Sequence, residues 1–438
     1  MKKIVYLIIV VLFLSCNENQ HRGSKEELDK IAADYVKLGL EIGRYDGDFV
    51  DAYYGPDSLK PATAKLEVFP KFILLNAVKD LTNRLLPFTG DDRNKELALR
   101  AGWMTGQLQA FTRRIKIFSG EYKSFDEESR DLFGVVAPIY PESHYQKLVT
   151  QLDALLPGTG TTAEKFQQLA NHFIIPKNKL DTVFKTAIAE SRKRTLAHYK
   201  LPANENFTLE YVTGKPWSGY NWYKGNYQSD IQVNTDTDMF IERAIDVASH
   251  ESYPGHHVYN MLLEKKLYRD KGWLEISLYP LFSPQSLIAE GSANYGIDVA
   301  FPGNEKSDFA RDVLLPLAGM DTAGLGIYFD ALRLKGNLNF VRNEVGRGLL
   351  DNIMSETEAL RWLMQYGLNN KETALKSISF IKKYRSYVIN YNYGLQLVKD
   401  YIESNGGTAS ATNKRWKLFE ELLSNEVTPQ QLIKGKKL

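Results

Sequence analysis

The pattern of apolar and polar positions divides the chain into long helical stretches interrupted by one segment of different period. In "EELDKIAADYVKLGLEIG", Leu28, Ile31, Ala32, Tyr35, Leu38 and Leu40 recur at roughly helical spacing. "NKELALRAGWMTGQLQAFTRRIKIF" and "KNKLDTVFKTAIAESRKRTLAHY" repeat it, and Pro and Gly mark the joins, as in "YYGPDS" and "LPGTGTT". From Glu26 to about Lys200 the pattern therefore predicts helices. Near Phe207 the period falls to two, with Phe207, Leu209, Tyr211 and Thr213 on one side of an extended segment. Tyr220 and Trp222 alternate next, Lys224-Gly225-Asn226 supplies a turn, and Ile231 and Val233 alternate again, which predicts a β-hairpin or small sheet. From about Asp238 the helical period returns, with Phe240, Ala244, Val247 and Ala248 on one face. After Tyr279 it continues almost to the end. The expected fold is mainly α: a single unit over 26–438, with a helical lobe at 26–205 and a second lobe at 206–438.

The first residues break this pattern in another way. Lys2 and Lys3 precede an apolar run, Ile4–Leu14, that is too short to span a membrane and suits an export signal over 1–15. The run ends in Phe13-Leu14-Ser15-Cys16, which looks like the cleavage site of a bacterial lipoprotein. Cys16 is the only cysteine in the chain. Its position is better explained by lipid attachment than by packing, and polar residues to about Lys25 read as a tether. The expected place is the bacterial envelope, at the periplasmic face or the cell surface, with the membrane as a partner. With Cys16 used there, no thiol remains for catalysis or metal binding. Fifty-five basic against 53 acidic residues leave a net charge of +2, which gives no reason to expect nucleic acid as a partner.

Chemistry concentrates at "VASHESYPGHHVYN". Three of the seven histidines, His250, His256 and His257, fall within eight positions, with Glu251 beside the first. The stretch almost spells H-E-x-x-H, in which two imidazoles four apart on a helix meet one zinc ion and the Glu serves as general base. Pro254 stands where the second histidine belongs. An unbroken helix would bring His257, seven residues on, back to the azimuth of His250. Pro254 and Gly255 predict instead a break, and a bulge absorbing two residues would put His256 in the ligand position. The other histidine would then lie behind the ligands or face the substrate. Zinc needs a third protein ligand. Glu290, flanked by Ala289 and Gly291 in the apolar helix that Ser283-Pro284 opens and Pro302 closes, is the best candidate, because a buried carboxylate needs a counter-charge.

H-E-x-x-P-G-H-H followed by "EGSANY" resembles the bacterial family known as domain of unknown function 885, grouped with zinc peptidases of gluzincin-like core. "YDGDFVDAYYGP" near residue 50, "FDEESRDLFGV" near 130, "YNWYKGNYQSDIQVNTD" and "YNYG" at 391–394 are also similar to it. Ser292 departs from the Trp usual in the family after Glu-Gly. The resemblance implies a helical metallopeptidase-like fold with one Zn²⁺ on His250, His256 and Glu290, and Glu251 as general base. It also implies Tyr391 as a transition-state stabiliser. A peptide substrate would lie along the edge of the sheet, with Trp217, Tyr220, Trp222 and Tyr223 lining pockets and Arg385 near the oxyanion. The plainer alternative for these aromatics is that they pack the hairpin on the helices. Two other readings of the chain compete: a non-catalytic helical lipoprotein that binds nutrients or peptides at the envelope, and a non-haem iron oxygenase using the same two histidines and carboxylate.

Overall fold

Helices dominate the computed structural model, which describes residues 23–90, 94–215 and 217–435. The export signal, Cys16 and most of the expected tether lie outside the described residues. The first helix, Lys25–Gly43, begins where the tether was expected to end, because Ser24 and Glu27 close a reciprocal capping box. The expected stretches become Lys95–Phe118 and Leu180–Leu196, and the apolar face of each joins a buried cluster running from Leu28 to Leu432.

Strands are few. β1 (Val50–Tyr53), inside the region read as helical, pairs antiparallel with the short β5 (Leu278–Pro280). Four residues carry too little periodicity to betray a strand. The segment of period two forms β2 (Asn206–Val212), β3 (Gly219–Gly225) and β4 (Gln228–Asn234), in the order β2-β4-β3. β3 and β4 make the expected antiparallel hairpin, and β2 lies parallel to β4, leaving β3 at an edge. Asn226 and Tyr227 turn the hairpin with φ of 53° and 62°. Their N–H groups donate to the Glu264 carboxylate at 3.0 and 3.2 Å, and the Tyr223 hydroxyl donates to it at 2.5 Å. This buried carboxylate, just past the helix His256–Leu263, pins the turn to the helical body.

Two further contacts fix what surrounds the histidines. Arg100, fully buried, bridges Asp29 and Glu275, and Arg114 is paired with Asp46 while lying 3.7 Å from the Phe282 ring centroid. They tie the N-terminal helices to the segment that leads into the helix Pro284–Ala300. That helix crosses Ile389–Ser404 at two glycines. A Cβ on Gly291 would sit 2.4 Å from the Gly394 carbonyl, and one on Gly394 would sit 2.8 Å from the Leu287 carbonyl oxygen. The pair "EG" and "YNYG" is thus one close helix crossing.

Candidate metal centre

The helix Ile241–Glu251 ends with His250 and Glu251, and Ser252 to Gly255 interrupt it before the helix His256–Leu263 begins. Within the break the Gly255 N–H reaches back to the Ser249 carbonyl at 3.0 Å, a loop two residues wider than a helical turn. Only glycine fits there, since a Cβ would lie 1.9 Å from the His250 carbonyl oxygen. The wide loop swings His256 onto His250. Their Nε2 atoms face each other at 3.1 Å, and Glu290 Oε2 lies 3.4 Å from His250 Nε2 and 3.6 Å from His256 Nε2. All three donor atoms fall within 4.8 Å of one another.

Tetrahedral ligands about 2.0–2.1 Å from a zinc ion are about 3.3 Å apart, and the observed spacings bracket that value. Glu290 Oε2 is buried with no hydrogen-bond partner, while Oε1 accepts from the Tyr387 hydroxyl at 3.0 Å. Electrostatics point the same way. Burial works against an imidazolium at His256, yet Glu290, Glu251 and Asp51 hold its pKa up to about 9. Burial likewise opposes charge on Glu290, but His250 and His256 keep it well below the usual carboxylate range. The carboxylates around His256 favour positive charge at this spot, and the N, N, O donor set fits zinc.

His257 goes elsewhere. Its ring is fully buried, with Nδ1 2.8 Å from Ser229 Oγ on β4 and Nε2 3.2 Å from Glu205 Oε2. Glu251 lies beside the donors. No hydrogen bond reaches its carboxylate among the described residues, burial raises its pKa, and His250 and His256 draw it back. Gly219 at the start of β3 covers it so closely that a Cβ there would sit 2.7 Å from Glu251 Oε1. Asn221 donates to the Glu251 carbonyl at 2.7 Å. The edge strand is therefore seated directly on the helix end that bears Glu251.

The four aromatic residues named for the groove divide into two groups. Trp217, Tyr220 and Trp222 form a continuous strip, with ring centroids 5.5 and 4.4 Å apart. Tyr223 does not join it: the alternation of β3 turns its ring inward, with 4% exposed, onto Glu264. Arg385 is also misplaced by the sequence reading. Its guanidinium is buried in a two-point ion pair with Glu128 at 2.5 and 3.0 Å, which commits Nε and one terminal nitrogen to that carboxylate. Tyr391 lies 5.7 Å, ring to ring, from Tyr387 and within the field of Glu290 and Glu251.

Two residues of this site went unread in the sequence. Asp51 of β1 accepts from the Tyr220 hydroxyl, and burial, acting against that bond, raises its pKa to about 6 beside His256, Glu290 and Glu251. The family-like "YDGDFVDAYYGP" contains it, which was the available signal. Tyr387 was readable as the residue one helical turn before Tyr391.

No family model matches the chain, and no curated protein matches it in sequence. Among solved structures, a provisionally assigned lipoprotein from Colwellia psychrerythraea is similar, with a TM-score of 0.52 and 14% identity over 82% of this chain. The chain spans 65% of that protein's length. An M32 carboxypeptidase from Deinococcus radiodurans R1 has a TM-score of 0.49 at 12% identity, over 94% of this chain and 95% of its own. Trypanosoma cruzi metallocarboxypeptidase 1 has a TM-score of 0.49 at 13% identity, with the same coverage. The likeness to the Colwellia protein is one of fold. The family resemblance rests on the motifs themselves.

Proposed function

We propose that this chain is a zinc-dependent hydrolase of peptide bonds. The observation that carries the reading is a buried carboxylate oxygen, Glu290 Oε2, that makes no hydrogen bond and lies 3.4 and 3.6 Å from two imidazole nitrogens, with the carboxylate of Glu251 nearby. His250, His256 and Glu290 would hold the ion. When bound, zinc supplies an acidified water and a Lewis acid for a carbonyl oxygen.

The remaining work falls to side chains already in place. Glu251, its pKa raised by burial, is suited to take a proton from water and return it to a departing amine. Tyr391 approaches from the crossing helix as a donor toward the developing oxyanion. As an edge strand, β3 would offer main-chain hydrogen bonds to an extended peptide, and Trp217, Tyr220 and Trp222 would offer it aromatic surface. No helix among the described residues is long and apolar enough to cross a membrane. Lipid on Cys16 would place the enzyme at the bacterial envelope.

Metal analysis of purified protein, with digestion of a peptide mixture before and after chelation, tests this reading. The expected result is one zinc per chain, chelator-sensitive cleavage, and a Glu251→Gln variant that keeps zinc and loses cleavage. Iron in place of zinc would favour the oxygenase, since the same donors suit Fe(II). Cleavage unaffected by Glu251→Gln would remove the general base and the mechanism with it.

A further inference from the structure

The buried arginines of this protein face carboxylates: Arg100 faces Glu275, Arg114 faces Asp46, Arg347 faces Asp126, Arg385 faces Glu128 and Arg415 faces Glu403. Arg342 breaks the rule. It is partly buried on the helix Val341–Leu350, and its Nε is sealed from solvent without a hydrogen-bond partner. No ion pair reaches it among the described residues, and no carboxylate acts on it electrostatically. Its neighbours are aromatic: the guanidinium carbon lies 5.5 Å from the Phe380 ring centroid and 6.0 Å from that of Tyr391. Ring faces offset part of the cost of removing a cation from water, but they fill none of its five donor positions. Only Nε is sealed, so the terminal nitrogens stay open to an incoming group, and a guanidinium with no carboxylate of its own suits an anion.

Its position says which anion. Tyr391 stands between Arg342 and the donor cluster, feeling the positive charge on one side and those of Glu290 and Glu251 on the other. From Glu290 the chain of contacts runs through the Tyr387 hydroxyl at 3.0 Å to the Tyr391 ring and then to Arg342. Two side chains thus separate Arg342 from the donor cluster, so a peptide bound across the cluster passes within a few residues of it. The planar fork of arginine matches a carboxylate with two parallel hydrogen bonds. We infer that Arg342 receives a carboxylate of the bound peptide close to the bond to be cleaved. The inference rests on the peptide-hydrolase reading. The carboxylate has two sources in a peptide, the free C-terminus and an acidic side chain, and the experiment separates them.

Three peptides serve as probes: acetyl-Ala-Ala-Phe with a free terminus, its C-terminal amide, and acetyl-Ala-Ala-Asp amide, whose one carboxylate is on the side chain. Binding is measured by calorimetry on the zinc-loaded full chain in the Glu251→Gln background, so that no cleavage is needed. A carboxylate-bearing peptide is expected to bind about 10²-fold tighter than the amide without one. The preference for free terminus or aspartate names the source. Arg342→Gln is expected to bring that peptide down to the level of the uncharged amide, and Arg342→Lys to restore part of the difference. Equal binding of all three peptides by the chain with Arg342 intact overturns the inference, whatever the variants do. So does an Arg342→Gln variant that weakens the three alike. Should the unmodified protein cleave none of them while the binding preference holds, the hydrolase reading fails and the carboxylate receptor stands.

Discussion

Gly291 and Gly394 meet backbone to backbone, and neither has room for a side chain. This crossing brings the helix bearing Glu290 against the one bearing Tyr391, so the geometry of the donor cluster depends on two absent methyl groups. Elsewhere a helical Gly→Ala change gains about 0.5–1 kcal/mol. At Gly394 the new Cβ would have to displace a carbonyl, and overpacking of this kind costs about 1–3 kcal/mol. Thermal unfolding is therefore expected to show Gly394→Ala destabilised, with weaker zinc retention. Gly102→Ala, on a helix face with nothing within 4 Å of the added atom, should raise stability instead. Equal shifts in the two variants would mean that the crossing has slack.

The two adjacent histidines separate by function. His256→Ala removes a nitrogen that lies 3.1 Å from His250 Nε2, and zinc content by elemental analysis is expected to fall to background. His257→Gln should keep full zinc content, because His257 contacts Ser229 and Glu205. It should lower stability by about 1–3 kcal/mol through the weakened buried network. Loss of zinc in His257→Gln alone would reverse the ligand assignment.

Tyr387 fixes the orientation of Glu290 through one hydrogen bond to Oε1. Removing an outer partner of a ligand typically lowers metal affinity by about 10–100-fold. Tyr387→Phe is expected to show that loss in a competition titration against a chromophoric chelator, with the fold unchanged by circular dichroism. An unchanged affinity would mean that packing alone holds the carboxylate.

Acid stability should report Glu205. Burial disfavours its charge, yet hydrogen bonds from His257, Tyr253 and Arg192 hold its pKa down at about 2 against an ordinary 4.5. A depressed folded-state pKa gives stability that is complete above about 4.5 and is lost as pH falls toward about 2. Glu205→Gln is expected to be less stable than the parent at neutral pH, with the gap closing across that window in denaturant titrations. A gap independent of pH would assign the loss to packing instead of charge.

Much of the fold was legible because its determinants are local. Apolar spacing gave the helix Lys25–Gly43, the cap at Ser283-Pro284 gave the start of the helix Pro284–Ala300, and alternation gave the β3–β4 hairpin. The parallel pairing of β2 with β4 and the strand β1 were not legible, since pairing partners leave no trace in one strand's own period. Arg385 and Tyr223 were read as facing the substrate because each lies near a motif. Their true neighbours, Glu128 and Glu264, are 257 and 41 residues away in sequence.

By itself the sequence determined which residues can do chemistry here: two imidazoles, Glu251 and a carboxylate in an apolar helix, with a helix that has to break at Pro254-Gly255. Tertiary structure decided between the two histidines beyond that break, turning His256 toward His250 and His257 away from it. It also decided that Glu290 arrives from 34 residues beyond His256 and that Asp51 reaches the same place from β1. The reason is one of range. Backbone preferences act over a few residues, while the direction of a side chain beyond a break, and the meeting of distant helices, follow from how the whole core packs.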